Sequence, residues 1–270
     1  MVGTDGWPSS GFDSRKAPGP RTAGRSVAAC LLAFFAVFQS GCLLAPQEKL
    51  ADASLNDVLR TAAVEAEGAN DYRKAVRHFR TLYERDRTDP AVVRDLARNM
   101  RYAGDPRNAA AFLTENLKTV GRKPELVLEL AKAQLVASRL DDAHRALTEA
   151  QSLMPENWQL YSAWGVYHDR RGNFDQARDA YQRALGLSPN NFAVLNNLAL
   201  SLALAGRIDE GISTLRKLAE SEKTTSQVRQ NLALLYGIKG DLESAERLAR
   251  EDLPQESVER NLSTWRHFHE

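Results

Sequence analysis

Any metal centre or nucleophilic site in this chain would have to be built from two cysteines and five histidines, and their spacing argues against both. Cys30 and Cys42 both lie near the N-terminus, whereas a structural zinc takes about four ligands gathered in space. His78, His144 and His168 stand far apart at ordinary helix positions, which reads as packed or solvated imidazoles. His267 and His269 flank Phe268; two histidines of one short segment are weak evidence for a metal, and a polar chain end is the simpler reading. The sequence has no glycine-rich phosphate loop, no nucleophile elbow and no zincin-type histidine pair. Asn261-Leu262-Ser263 matches a glycosylation acceptor, a triplet common by chance. No catalytic residue, metal ligand, cofactor or small-molecule substrate is therefore expected, and the chain is not read as an enzyme. Lys plus Arg number 36 against 35 Asp plus Glu, a net charge of +1. That balance gives no bulk case for nucleic acid, whose usual footprint is a basic surface. With 270 residues and a hydrophobic fraction of 43%, the chain has ample material for a core.

The remaining chemistry of Cys42 is attachment. Arg15, Lys16, Arg21 and Arg25 form a basic region, "VAACLLAFFAVF" (27 to 38) carries no charge, and the small residues Ser40 and Gly41 follow. This is the layout of an export signal. The apolar run falls short of the ~20 residues a spanning helix needs. Ser40, Gly41 and Cys42 resemble the end of a bacterial lipobox, with Gln39 standing where an apolar residue is usual. The resemblance implies a signal peptide over 1–41 and lipid attachment at Cys42. At ~0.8 kcal/mol per buried methylene, one acyl chain holds a protein marginally and two or more hold it firmly. Leu43 and Leu44 are not the aspartate that retains enteric lipoproteins in the inner membrane, so the outer membrane is the expected destination, with inner-membrane anchoring as the alternative. Residues 42–55, with Pro46 and mixed charges, read as a lipidated N-terminus and tether.

The elements behind these residues follow a period. In "YSAWGVYHDRRGNFDQARDAYQRALGLSPN" (161 to 190), Trp164, Gly165, Gly172, Phe174, Ala177, Tyr181, Ala184 and Pro189 resemble the signature of a tetratricopeptide repeat. Steps of 34 residues carry Gly165 onto Ala63, Ala97, Ala131, Ala199 and Ala233, and Ala177 onto Ala75, Ala109, Ala143, Gly211 and Ala245. The turn glycine Gly172 maps onto Asn70, Gly104, Ser138, Gly206 and Gly240, and the large position of Tyr181 onto Phe79, Leu113, Leu147, Leu215 and Ala249. Helices crossing closely at the small positions would be pushed apart by anything larger. No repeat buries its own face, so stability comes from stacking. Pro106, at the position of Phe174, suits a first helical residue. The expected fold is all-α, a right-handed tetratricopeptide-repeat solenoid of six repeats (56–89, 90–123, 124–157, 158–191, 192–225 and 226–259). Val258, Leu262, Trp265 and Phe268 share one face of a closing helix that ends within 260–270.

In such repeats the first helix lines the concave face. Arg94, Arg98 and Arg101 then make a basic stripe suited to carboxylates, which Asp95 and Glu129 could equally neutralise. Asn196, Asn197, Gln230 and Asn231, in "LNNLAL" and "RQNLAL", are amides suited to a peptide backbone. These seven residues are the candidate partner-binding groove. Residues 192 to 266, with the paired "NNLAL" and "RQNLAL", then "AERLAREDLP" and Asn261, resemble the TadD family of tetratricopeptide lipoproteins in tight-adherence (Flp) pilus assembly. The resemblance implies an outer-membrane lipoprotein facing the periplasm. Its partners would be a secretin and other pilus assembly components, and acyl chains would bind it to the membrane. Two rivals are a tetratricopeptide lipoprotein of another envelope system, such as a type IV pilus pilotin or an outer-membrane assembly factor, and a cell-wall enzyme.

Overall fold

The computed structural model describes residues 45–222 and 224–267, with side chains from residue 54 onward. The export-signal run and Cys42 lie outside the described residues, as do Phe268 and His269. Among the described residues there are thirteen helices and no strand. They are α1 (Ala45–Gly68), α2 (Tyr72–Arg85), α3 (Pro90–Tyr102), α4 (Pro106–Asn116), α5 (Pro124–Val136), α6 (Leu140–Leu153) and α7 (Trp158–Arg170). The series continues with α8 (Phe174–Leu187), α9 (Phe192–Leu204), α10 (Ile208–Ala219), α11 (Ser226–Lys239), α12 (Leu242–Arg250) and α13 (Gln255–His267). From α3 to α11 the odd-numbered helices start 34 residues apart, and so do the even-numbered ones from α2 to α12. None of the described helices is long and apolar enough to cross a membrane.

Local chemistry fixes these starts. Proline occupies the first turn of α3, α4 and α5, where its missing N–H leaves no bond unmade. Asp89 Oδ1 accepts from the Ala91 amide at 2.8 Å, and Asn157 Oδ1 from the Leu160 amide at 3.1 Å. The turn inside each helix pair is equally regular. Asn70, Gly104, Ser138, Gly172, Gly206 and Gly240, one per pair, all have positive φ, between 57° and 92°. Only glycine adopts this region freely. Ser138 holds it at a cost of roughly 1–2 kcal/mol, and Asn70 at less, because its short amide can bond locally.

The small positions explain how the pairs close. Each alanine of the two alanine/glycine series is fully buried, at 0% exposure. At Gly165 an added Cβ would run into the Tyr181 ring. At Gly211 it would stand 2.6 Å from the Ala199 carbonyl oxygen. Phe79, Leu113, Leu147, Tyr181 and Leu215 fill the seams beside them, none more than 1% exposed. The core is a chain of three clusters along the row of helices, as a stacked array requires. Contacts join α3 to α5, α5 to α7, α7 to α9 and α9 to α11, while the even-numbered helices make no comparable contact with one another. The odd-numbered helices therefore form the tighter, inner side. At the C-terminal end Val258, Leu262 and Trp265 of α13 are buried, with the Trp265 ring lying against Gly237 of α11 where any Cβ would stand.

The start of the chain differs from expectation. Residues 45–55, read as a tether, are part of α1. Pro46 sits in the first helical turn, where proline is tolerated, and the following "QEKLADASL" is mostly good helix formers and has no glycine or proline to break it. Mixed charge suits a solvated helix as well as a linker.

Candidate protein-interaction groove

The inner face is built from residues one and two turns apart on the odd-numbered helices. Stepping along the row, one line of equivalent positions holds Val64, Arg98, Lys132, Val166, Leu200 and Leu234. The line beside it, four residues on, holds Tyr102, Val136, Arg170, Leu204 and Ile238. Several are large apolar side chains left in solvent: Tyr102 is 51% exposed, Val136 45%, Leu204 63%, Ile238 43% and Leu234 37%. Scattered apolar exposure is ordinary, but repetition at one register makes a stripe.

The three arginines lie together at the α3 end, and each has a carboxylate. Arg94 Nε donates to Asp95 Oδ1 at 2.8 Å. Arg98 donates to Glu67 Oε1 at 2.7 Å through Nη2 and stands 3.2 Å from Asp95 Oδ1. Arg101 Nε donates to Glu129 Oε1 at 2.7 Å, with side chains only 10% and 4% exposed, and its guanidinium lies 4.3 Å from the Tyr102 ring centre. Burial alone would lower the Arg101 pKa; Glu129 outweighs it and the net shift is upward. Asp95 and Glu129 were visible as neutralising groups in the sequence. Glu67 was not, because it lies on α1, one pair back, and it also accepts from Asn99 Nδ2 at 2.6 Å. The stripe is therefore a network tying α1, α3 and α5 together, and reversing charges in it strains the fold as well as any partner.

The amides divide in the same way. Asn196 is buried, and its Oδ1 accepts from Asn231 Nδ2 at 2.8 Å, joining α9 to α11. Gln230 Nε2 reaches Asp252 Oδ2 at 3.4 Å, beside the Arg229 guanidinium that holds the same carboxylate. Asn197 is half-buried, 3.5 Å from Ser162 Oγ, and lines a cavity of about 270 Å³ with Arg101, Tyr102, Lys132, Val136 and Trp158. The Asn196–Asn231 bond thus links neighbouring repeats one residue out of register, 35 positions apart. Lys132 was not singled out in the sequence; stepping Arg98 forward by one period would have found it.

Asp169, at the end of α7, fastens neighbouring pairs. Its Oδ2 accepts from Tyr181 Oη at 2.7 Å and its Oδ1 from Ser201 Oγ at 2.6 Å. Burial raises its pKa, against the lowering effect of both hydroxyls. The native state thus holds this proton more tightly than the unfolded chain, whose value is near 3.8. As pH climbs from 3.8 through the raised value, the Asp169 contribution to stability falls. In Asp169→Asn that part of the pH dependence is expected to vanish; urea midpoints across the range check it, and an unchanged slope refutes it. Two of the three histidines read as packed or solvated pack together: His144 and His168 flank Trp164, with centroids 5.4 and 5.7 Å from its ring. Among the described residues no three metal-ligating side chains come together.

Residues 128–191 and 162–224 match the family described as tetratricopeptide repeat. The chain is similar in structure to TTC0263, a thermophilic TPR protein of Thermus thermophilus. The TM-score is 0.57 at 19% identity, covering 64% of this chain and 96% of that one. The fold is a tetratricopeptide-repeat solenoid. Pseudomonas aeruginosa pilF superposes on this solenoid with a TM-score of 0.50 at 16% identity, covering 74% of this chain and 90% of that one. In sequence, 100 residues are 33% identical to the TPR repeat-containing thioredoxin TTL4 of Arabidopsis thaliana, which is 37% of this chain and 14% of that protein. The chain spans less than two thirds of the curated relatives it matches, 14%, 62% and 11% of the length of three of them. Tetratricopeptide solenoids present their inner face to other proteins, and the stripe described above lies on that face.

Proposed function

We propose that this solenoid is a lipid-anchored scaffold of the bacterial envelope that gathers components of Flp pilus assembly, a secretin among them, on its inner face. The observation that carries the scaffold reading is the row of solvent-exposed apolar residues, Tyr102, Val136, Leu204 and Ile238, at one register of α3, α5, α9 and α11. A monomer gains nothing by leaving such a row in water, and a partner gains by covering it. The pilus setting is supported by the resemblance of residues 192–266 to TadD proteins, and the anchor by Ser40-Gly41-Cys42 at the end of an export-signal pattern. In this reading the windows from 56 to 259 are the repeats and Cys42 holds them to the periplasmic face of the outer membrane.

Affinity capture from cross-linked envelopes tests it. A pilus secretin is expected in the captured fraction, and Cys42→Ser is expected to lose acyl labelling and leave the membrane fraction. Recovery of a porin-folding complex in place of a secretin, or acyl labelling that persists in Cys42→Ser, overturns the corresponding half.

A further inference from the structure

The inner face carries a half-buried cation that no carboxylate among the described residues takes up. Arg94, Arg98, Arg101 and Lys132 cluster around Glu67, Asp95 and Glu129, four cations to three carboxylates, and the arginines hold all three. Lys132 lies on α5 and makes no hydrogen bond or ion-pair contact among the described residues. Glu129, one turn before it, attracts it, but that carboxylate is engaged by Arg101. Burial pulls the Lys132 pKa below the ordinary lysine value, and the three arginines act in the same direction. An ammonium that has lost water and found no partner is destabilising as it stands, and an incoming anion relieves it.

The surroundings say what kind of anion fits. Lys132 lines the cavity whose walls include Tyr102, Val136, Trp158 and Val166, with Ser162 and Asn197 as polar groups. From there the row continues as Leu200, Leu204, Leu234 and Ile238, interrupted by Arg170, whose Nη1 donates to Ser138 Oγ at 3.3 Å. The groove is cationic at one end and aliphatic along the rest. A free inorganic anion would leave the aliphatic part in water; a segment bearing both characters would cover it.

We propose that Lys132 anchors a glutamate or aspartate side chain of an acidic–aliphatic segment of a protein partner, whose apolar residues lie along Val136, Val166, Leu204 and Ile238. This rests on the reading of the inner face as an interaction surface, and it gives the arginines a positioning role only. The carboxylate forms a charge-assisted hydrogen bond with the half-buried Nζ, where such a bond is stronger than at a fully exposed surface.

The test uses the full chain and two fluorescein-labelled synthetic 15-residue peptides, one of leucine and glutamate and the other with every glutamate replaced by glutamine. Fluorescence anisotropy is expected to show the glutamate peptide binding about tenfold more tightly. Lys132→Met, which keeps the apolar stem, is expected to erase that ratio while leaving the glutamine peptide's affinity in place. Its thermal midpoint is expected to equal or exceed that of the parent, because an unpartnered ammonium has been removed. Leu204→Asp is expected to weaken both peptides. The proposal is overturned if the parent does not discriminate the peptides, if neither binds, if Lys132→Met still discriminates, or if that variant is less stable. These outcomes leave envelope capture untouched, whereas failure to capture a pilus component with peptide discrimination intact refutes the pilus setting alone.

Discussion

Replacing Glu129 with alanine is expected to cost about 3–5 kcal/mol of stability, although the residue belongs to an inner face read as a binding surface. Its carboxylate is 4% exposed and accepts from Arg101, itself 10% exposed. With Glu129 gone, the Arg101 guanidinium keeps only its contact with the Tyr102 ring and stays buried as an uncompensated charge. The attraction within the pair is a poor guide to the size of the effect, because its formation already offsets the desolvation of both partners. What the single substitution exposes is the remaining desolvation. Two controls follow from that logic. Glu129→Gln, which keeps an acceptor but no charge, is expected to cost less than alanine. Glu129→Leu combined with Arg101→Met is expected to recover most of the loss, since two apolar side chains leave nothing unpaired. Guanidinium midpoints measure all of these. A loss below ~1 kcal/mol for Glu129→Ala would mean that water already reaches the pair.

The second large effect is steric. Gly211→Val is expected to destabilise the chain by about 3 kcal/mol, the upper end of the range for overpacking. A β-carbon at this position meets the Ala199 carbonyl oxygen at 2.6 Å and Leu235 Cδ1 at 3.0 Å. The leucine could turn aside, but the carbonyl is part of the α9 backbone and cannot. Helix propensity favours valine over glycine, yet by less than ~1 kcal/mol, so the clash decides the sign. In a stacked array the damage should stay local. Hydrogen exchange is expected to quicken in α9 to α12 while α3 to α6 keep their protection. Uniform loss along the whole chain would show a single cooperative unit instead.

The difference between what the sequence disclosed and what it hid has a physical basis. Close crossings and turns repeat because geometry repeats. Ala63, Ala97 and Ala131 could be matched with Gly165 by counting, and Asn70 and Ser138 stood out as turn residues before any φ was known. Their requirement is local and acts on residue type. Ion pairs act on distance in space, and two of the network's pairs, Arg98–Glu67 and Arg101–Glu129, join residues 31 and 28 positions apart. Arg98 therefore looked available until Glu67 was found facing it from the preceding odd-numbered helix. Asn196 and Asn231 looked like groove amides for the same reason, and the structure turns the pair onto itself. Lys132 stands one period beyond Arg98 and could have been found by counting; that its neighbours' charges are already taken up shows only in space. The first turns of α1 were missed by reading mixed charge as linker, when their composition also suits a solvated helix.

The constant 34-residue spacing of the helix starts makes the length of this molecule a counted quantity. Excising one full period between equivalent positions, for example from Leu140 to Asn173, would join an end and a start that have the same geometry. The flanking helices would keep their faces. Excising one residue fewer would turn everything downstream by about 100° around its helix axis, presenting polar side chains where buried alanines belong. An array of this kind can grow or shrink by whole modules and tolerates no fractions.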